Sequence, residues 1–309
     1  MATAMTVTSN YTGEWAGKIL NAALLSGPTL ANQLITILPN VKYKTNIGVY
    51  TDDAGIAAAT CDFTDVGNLT LTERVLAPDD FQVNRQLCKK DYIPSFLAAE
   101  MGYGAFDNLP TSLSDYIIGL YSAKVAQSIE KAIWQGSGST ATEFTGFERL
   151  FLADATVPRA AVSASISATN VVAALASIMS AVSSSVYSQP DFGLYVSSNV
   201  ARSYIAAQST LGYQMNYNMW TQGKDQIMNT LQYQGVPMWV CTGLRDSCMV
   251  AASKSNLFFG TGLLNDTNEV RLIDQADIDG SQNVNLVMRF TAGIQFGIPA
   301  DIAYYSVGV

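Results

Sequence analysis

The chain has 309 residues, 49% of them hydrophobic and only 14% charged, with a formal net charge of −8 and no histidine. That length allows one large domain or two lobes sharing a core. The acidic balance lacks the basic footprint needed to grip nucleic acid, and the missing histidine removes the commonest general base and metal ligand.

Residues 1–40 read as an arm. Thr and Ser dominate its start, and a short amphipathic helix is predicted over Glu14–Ser26, with Trp15, Ile19, Ala22 and Ala23 at helical spacing and Gly27-Pro28 as the stop. The uncharged stretch Ile19–Val41 is broken by Gly27, Pro28, Asn32, Gln33 and Pro39. No membrane span or signal peptide is therefore expected, and the chain reads as soluble and intracellular when made.

Residues 41–91 hold about a third of the chain's charged residues in about a sixth of its length. Alternating patterns at Val41–Lys44 and Asn68–Leu76, broken by Asp52-Asp53, Gly55 and Gly67, predict a long twisted hairpin exposed on both faces. Such a ribbon is marginal alone in water, so something outside it must hold it.

The strongest helix is predicted over Ser112–Gln135, with Ser112 or Ser114 as cap, Asp115 at the positive end of the dipole and Gly136 as the stop. At 1.5 Å per residue it is about 35 Å long, the spine of a domain. Short strand patterns follow to about Ser165, then a helix over Ala168–Ser188, a buried strand at Phe192–Ser197 and a helix at Asn199–Gln208. Leu211–Gln226 reads as a polar loop carrying Tyr213, Met215, Tyr217, Met219 and Trp220. Strands are predicted at Val236–Cys241, Cys248–Ala252, Glu269–Ile273, Asn285–Thr291 and Ile298–Tyr305, giving an α+β class.

This order of elements resembles the tailed-bacteriophage major capsid proteins, whose fold is called Hong Kong 97-like. The spine ending Ser128–Gly136, the Gly235–Val240 step into a strand, Asn256–Thr261, and Val287–Tyr305 with Arg289, Gly293 and Phe296-Gly297 carry the resemblance. It implies an N-terminal arm (1–40), an extended hairpin loop (41–91), a peripheral lobe (92–166) with its spine at 112–135, an axial lobe (167–262) and closing strands of the peripheral lobe (263–309). It further implies pentamers and hexamers of one chain tiled into an icosahedral head around double-stranded DNA, with no sequence-specific DNA contacts and no membrane. Portal and decoration proteins are further implied partners, and the virion, built in a bacterial cytoplasm, is the implied location. No long charged N-terminal extension is present, so a separate scaffolding protein, or none, is expected. Lys42 and Lys44 lie at the hairpin base and not at its tip, and no firm lysine–asparagine pair is offered, so the covalent crosslinking of one branch of the family is not expected.

Low charge suits such a subunit, because a lone monomer well below the usual charged fraction of about 25% would be poorly solvated. Expected contact residues between subunits are Lys42, Lys44, Glu73, Arg74, Asp79, Asp80 and Arg85 in the hairpin and Tyr213, Met215, Tyr217 and Trp220 in the loop, since aromatics and Met are enriched at interfaces. Within the hairpin, Arg74 and Arg85 are expected to serve the contact and not the subunit's own fold. No catalytic, cofactor or metal residues are expected. Gly136–Ser139 follows a helix instead of opening one, no Gly-x-Ser-x-Gly elbow occurs, and Asp52-Asp53 and Asp79-Asp80 lack a calcium-loop pattern. Cys61, Cys88, Cys241 and Cys248 show no metal spacing; free thiols are expected, with a Cys61–Cys88 bridge left open. Two alternatives are an encapsulin-like cellular compartment shell and another virion protein such as a tail tube subunit.

Overall fold

The structure is a computed structural model that describes residues 10–12, 27–41, 43–52, 58–59, 61, 67–89, 111–139, 143–160, 164–210, 231–262 and 269–307. The predicted helix at 14–26, Lys42 and the loop residues Tyr213, Met215, Tyr217, Met219 and Trp220 lie outside them.

The spine helix runs over Thr111–Gln135. It buries Ile117, Ile118, Val125, Ile129, Ile133 and Trp134, as its broad apolar face requires. It ends at Gly136, where any Cβ would come within 2.1 Å of the Phe144 carbonyl. Bare backbone there lets the returning chain pack, and Gly146 N–H bonds the Gly136 carbonyl at 2.8 Å.

Two larger sheets flank this helix. In the first, β1 (Asn10–Thr12), β11 (Glu269–Asp274), β12 (Asn283–Phe296), β10 (Leu257–Thr261) and β2 (Thr36–Pro39) lie in that order, and β5 (Asp79–Cys88) also pairs with β12. Along β12, Val284, Leu286, Met288 and Phe290 turn inward while the intervening residues face outward, the period of two of a half-covered strand.

The second sheet has the order β13 (Ala303–Tyr305), β9 (Met249–Ser253), β6 (Phe192–Val196), β8 (Val236–Val240), β7 (Gln232–Tyr233). All five residues of β6 are buried, because both faces of this sheet are covered. Tyr195, Val250, Ala252 and Tyr304 join the apolar cluster around the spine. Their neighbours Leu194, Val196, Met249, Ala251 and Ala303 join a second cluster under the helices Val171–Ala181 and Ser198–Thr210. The latter helix provides the crossover that the parallel pair β6–β8 needs.

A separate two-stranded ribbon pairs β3 (Thr45–Asp52) with β4 (Leu69–Leu76). It starts at Thr45, later than the Val41–Lys44 pattern suggested, and the predicted hairpin 41–91 is shorter for a second reason. From Asp79 onward the chain enters the main sheet, with β5 paired to β12 from Asp79↔Ala292 to Cys88↔Asn283. Phe81, Val83 and Leu87 pack against the spine cluster, which accounts for this placement despite the charges at its start.

Three further elements differ from expectation. Phe147–Ala153 is a helix that buries Phe147 and Phe151 one turn apart, where strand patterns were predicted. The predicted helix 168–188 is two pieces, Val171–Ala181 and Ser184–Tyr187; Val182 is extended, and the Ser183 hydroxyl caps the second by accepting from Ser185 N–H. β13 pairs with β9, so the closing segment 263–309 contributes to both sheets.

Candidate functional site

The surface that stands out is the ribbon β3–β4. Antiparallel register places Asn46 opposite Val75, Gly48 opposite Glu73, Tyr50 opposite Leu71 and Asp52 opposite Leu69, so these residues share one face. On that face Tyr50 is 72% exposed, Leu69 65% and Leu71 52%, and Val75 is exposed as well. Side chains of this kind, one beside the next on two strands, leave an apolar stripe that water wets at a cost.

Among the described residues, the contacts that hold the ribbon lie at its Leu76 end. Leu76 is fully buried, and Gly260 lets it approach: a Cβ at 260 would stand 2.6 Å from Leu76 Cδ2. Gln295 Nε2 donates to the Val75 carbonyl at 3.0 Å. Arg74, expected at a contact between subunits, is committed to its own. Its Nη2 lies 2.6 Å from Asp154 Oδ2, and its guanidinium stacks 4.2 Å from the Phe296 ring centroid. The Thr156 hydroxyl and, next, Arg74 donate to Asp154 and hold its carboxyl down at about 2. Arg74 therefore anchors the ribbon base; the expectation that it serves only a neighbour is corrected. The physical reason is register, since Arg74 lies across from Ile47 on the face opposite the apolar stripe.

Other candidate contact residues are spread along this region. Lys44 is exposed, its Nζ 5.5 Å from the Tyr43 ring centroid. Glu73 accepts from Asn46 Nδ2 at 3.0 Å across the ribbon. Asp79, Asp80 and Arg85 are exposed on β5, so they belong to the main sheet and not to the ribbon.

The fold around the ribbon has known counterparts. No family model matches the sequence, and the search of curated proteins found no match. Among solved structures, the chain resembles the capsid of a native GTA particle, with TM-score 0.56 and 11% identity over 93% of this chain and 90% of that one. It resembles a chain of Gordonia phage Cozz with TM-score 0.61 and 13% identity over 91% of this chain and 87% of that one. It also resembles a virus-like particle from Pyrococcus furiosus, with TM-score 0.52 and 11% identity over 95% and 99%. The chain has the Hong Kong 97-like capsid fold. At such identities the likeness is one of fold, and the chemistry must be read from this chain's own residues.

Among the described residues no group of three or more His, Cys, Asp or Glu is placed to hold a metal ion, and no helix is long and apolar enough to cross a membrane. All four cysteines are free thiols; Cys61 is exposed, and burial pushes the Cys241 and Cys248 thiols up, away from the reactive thiolate. Glu130, on the buried side of the spine, accepts from the Thr29 N–H and hydroxyl. Burial raises its carboxyl, and the hydrogen bonds partly offset this. Glu148 is likewise raised by burial, offset by the Arg245 N–H and charge. These two carboxylates were not singled out in the sequence, and their only signal there is a charge inside an apolar helical stripe.

Proposed function

We propose that the chain is the major capsid protein of a tailed bacteriophage, a shell subunit without a catalytic role. In this reading its copies form the pentamers and hexamers of an icosahedral head around double-stranded DNA. The observation that carries the reading is the ribbon β3–β4, held to its own subunit at Arg74 and Leu76 and bare over Tyr50, Leu69 and Leu71. An isolated two-stranded ribbon is marginal in water, and an exposed apolar stripe marks a contact surface. The capsid fold, with its likeness to a GTA capsid, supplies the class of partner: more copies of the same chain.

On this reading the ribbon lies on an adjacent subunit, with Lys44 and Glu73 at the contact. The lobe built on the second sheet meets its equivalents at the ring axis, where Tyr213, Met215, Tyr217 and Trp220 contribute contacts. DNA is enclosed without a basic grip, consistent with the net charge of −8. Assembly takes place in the host bacterial cytoplasm with a separate scaffold or none, and with portal and decoration proteins as later partners.

A second reading, an encapsulin-like cellular shell, is favoured by the likeness to the Pyrococcus furiosus virus-like particle. Contents separate the two. Particles isolated from the producing cells are expected to hold nuclease-protected double-stranded DNA. Particles that hold a protein cargo and no DNA would replace the phage reading with the cellular one.

A further inference from the structure

The turn 241–248 joins β8 to β9 and carries the second sheet onto the spine. Its Cys241, Leu244 and Cys248 are buried in the apolar cluster around that helix. Gly243 lies directly on the spine backbone, where any Cβ would stand 2.0 Å from the Glu130 carbonyl oxygen. Gln135 Nε2 donates to the Gly243 carbonyl at 2.6 Å. At the end of the turn Ser247 is held at φ 63°, a left-handed conformation that strains a residue other than glycine, so the closed turn depends on its contacts.

Two buried carboxylates supply those contacts. Glu130, on the spine, faces the backbone N–H groups of Thr29 and Gly243. Glu148, in the helix Phe147–Ala153, accepts from the Arg245 N–H at 3.1 Å, and its Oε2 lies 3.4 Å from Arg245 Nε. Among the described residues that Oε2 has no hydrogen bond. Glu130 also faces the Trp134 indole and the Cys241 thiol, and among the described residues no cation acts on it. Glu148 faces the Cys248 thiol, the Tyr304 phenol and the Arg245 guanidinium, which is partly in water.

Burial penalises the charged form of both acids and raises both above their ordinary 4.5. If the turn lifts, both carboxyls reach water and ionise at that ordinary value. The closed contact is therefore at full strength below pH 4.5 and weakens as pH rises through the raised values. The apolar packing of Val250 and Ala252 on the spine cluster carries no such dependence.

We propose that the turn 241–248 is a pH-controlled latch between the lobe built on the second sheet and the spine, closed on protonated Glu130 and Glu148 and lifting more often as they ionise. Release leaves each sheet intact and frees the angle between lobe and spine. One consequence rests on the capsid reading: a chain that fits rings of five and of six needs more than one such angle, and the latch supplies that freedom.

Hydrogen exchange of the dissociated subunit between pH 5 and 8 tests the latch, each rate being divided by that of the unfolded chain at the same pH. The turn, whose Gly243 and Arg245 amides face the two acids, should open at least about tenfold more often at pH 8 than at pH 5, since each pH unit by which a carboxyl is raised is worth about a factor of ten. At pH 8 it should also open at least about tenfold more often than Phe192–Val196, which exchanges only when its sheet comes apart. Glu130→Gln with Glu148→Gln keeps the shape without the charge and should hold the turn as closed at pH 8 as the wild type is at pH 5. Opening that is flat with pH, or equal to that of Phe192–Val196 throughout, overturns the latch. A folded double variant that keeps the wild-type slope does the same.

The wild-type profile stands by itself if the variants fail to fold, and thiol labelling repeats it. Cys241 and Cys248 bracket the turn, and with Cys61→Ser and Cys88→Ser they are the only thiols in the chain. Iodoacetamide should reach both faster at pH 8 than at pH 5, by the same factor once divided by the rate of the unfolded chain. Equal protection at the two pH values overturns the latch. Every readout uses the dissociated subunit, so a chain that never forms shells would sink the capsid reading and leave the latch standing.

Discussion

Thr29 binds Glu130 twice across 101 positions of sequence, its N–H reaching Oε2 at 3.2 Å and its hydroxyl reaching Oε1 at 2.5 Å. The same hydroxyl accepts from Trp134 Nε1 at 3.0 Å. This fastens the segment before β2 onto the spine helix at a point where the carboxylate is nearly out of water. Glu130→Ala leaves the buried Thr29 N–H without an acceptor. The dissociated subunit should lose about 2–4 kcal/mol of stability in denaturant titration, and a loss below measurement would show that water takes over the bonds.

Acidity should matter at the same residue. Burial raises the Glu130 carboxyl above its ordinary 4.5, so the folded state binds the proton more tightly than the unfolded chain. Its contribution to stability is therefore fully present below pH 4.5 and is lost as pH rises from there through the raised folded value. Glu148 carries the same sign for the same leading cause. Unfolding curves of wild type and Glu130→Gln, compared from pH 4.5 upward, should show a shallower decline in the variant. Identical slopes would contradict a raised carboxyl at Glu130.

Arg74 offers a test inside the subunit. Arg74→Ala removes the Asp154 ion pair and the stacking on Phe296, and thermal unfolding of the dissociated subunit should report a loss of about 1–2 kcal/mol. Asp154, held down at about 2, adds an acid limb: its contribution is intact above its ordinary 3.8 and disappears as pH falls through 2. Unchanged unfolding of Arg74→Ala would return this residue to the surface role that the sequence suggested.

The exposed stripe predicts a separation of folding from assembly. Tyr50→Ser with Leu71→Ser alters side chains that touch little of their own subunit, so circular dichroism and unfolding should change by less than about 0.5 kcal/mol. Shell formation, read by sedimentation, should fall sharply. Shells at normal yield would mean that the stripe is not covered in the assembly.

Legibility from sequence followed the range of the interactions. The spine was predicted at Ser112–Gln135 and found at Thr111–Gln135, because a long apolar stripe and a terminal glycine are local signals. Phe192–Ser197 was equally plain as a short apolar run, found as β6. The place of β5 was hidden, since its partner β12 lies some two hundred positions away and Asp79-Asp80 disguises its apolar alternation. Helix Phe147–Ala153 is two turns long, too short for a period to declare itself. For the candidate site, Leu69 and Leu71 showed alternation, yet only the register that sets Tyr50 beside Leu71 makes them one stripe. Arg74 looked like its charged neighbours, and only the fold brings Asp154 and Phe296 to it.

Electron microscopy of the purified, expressed chain tests the central claim most directly. A subunit with the capsid fold and an arm bare on one face should appear as rings of five and six or as closed, icosahedral shells, with sedimentation to match. A well-folded monomer, persisting over a broad range of salt and protein concentration, would contradict the account.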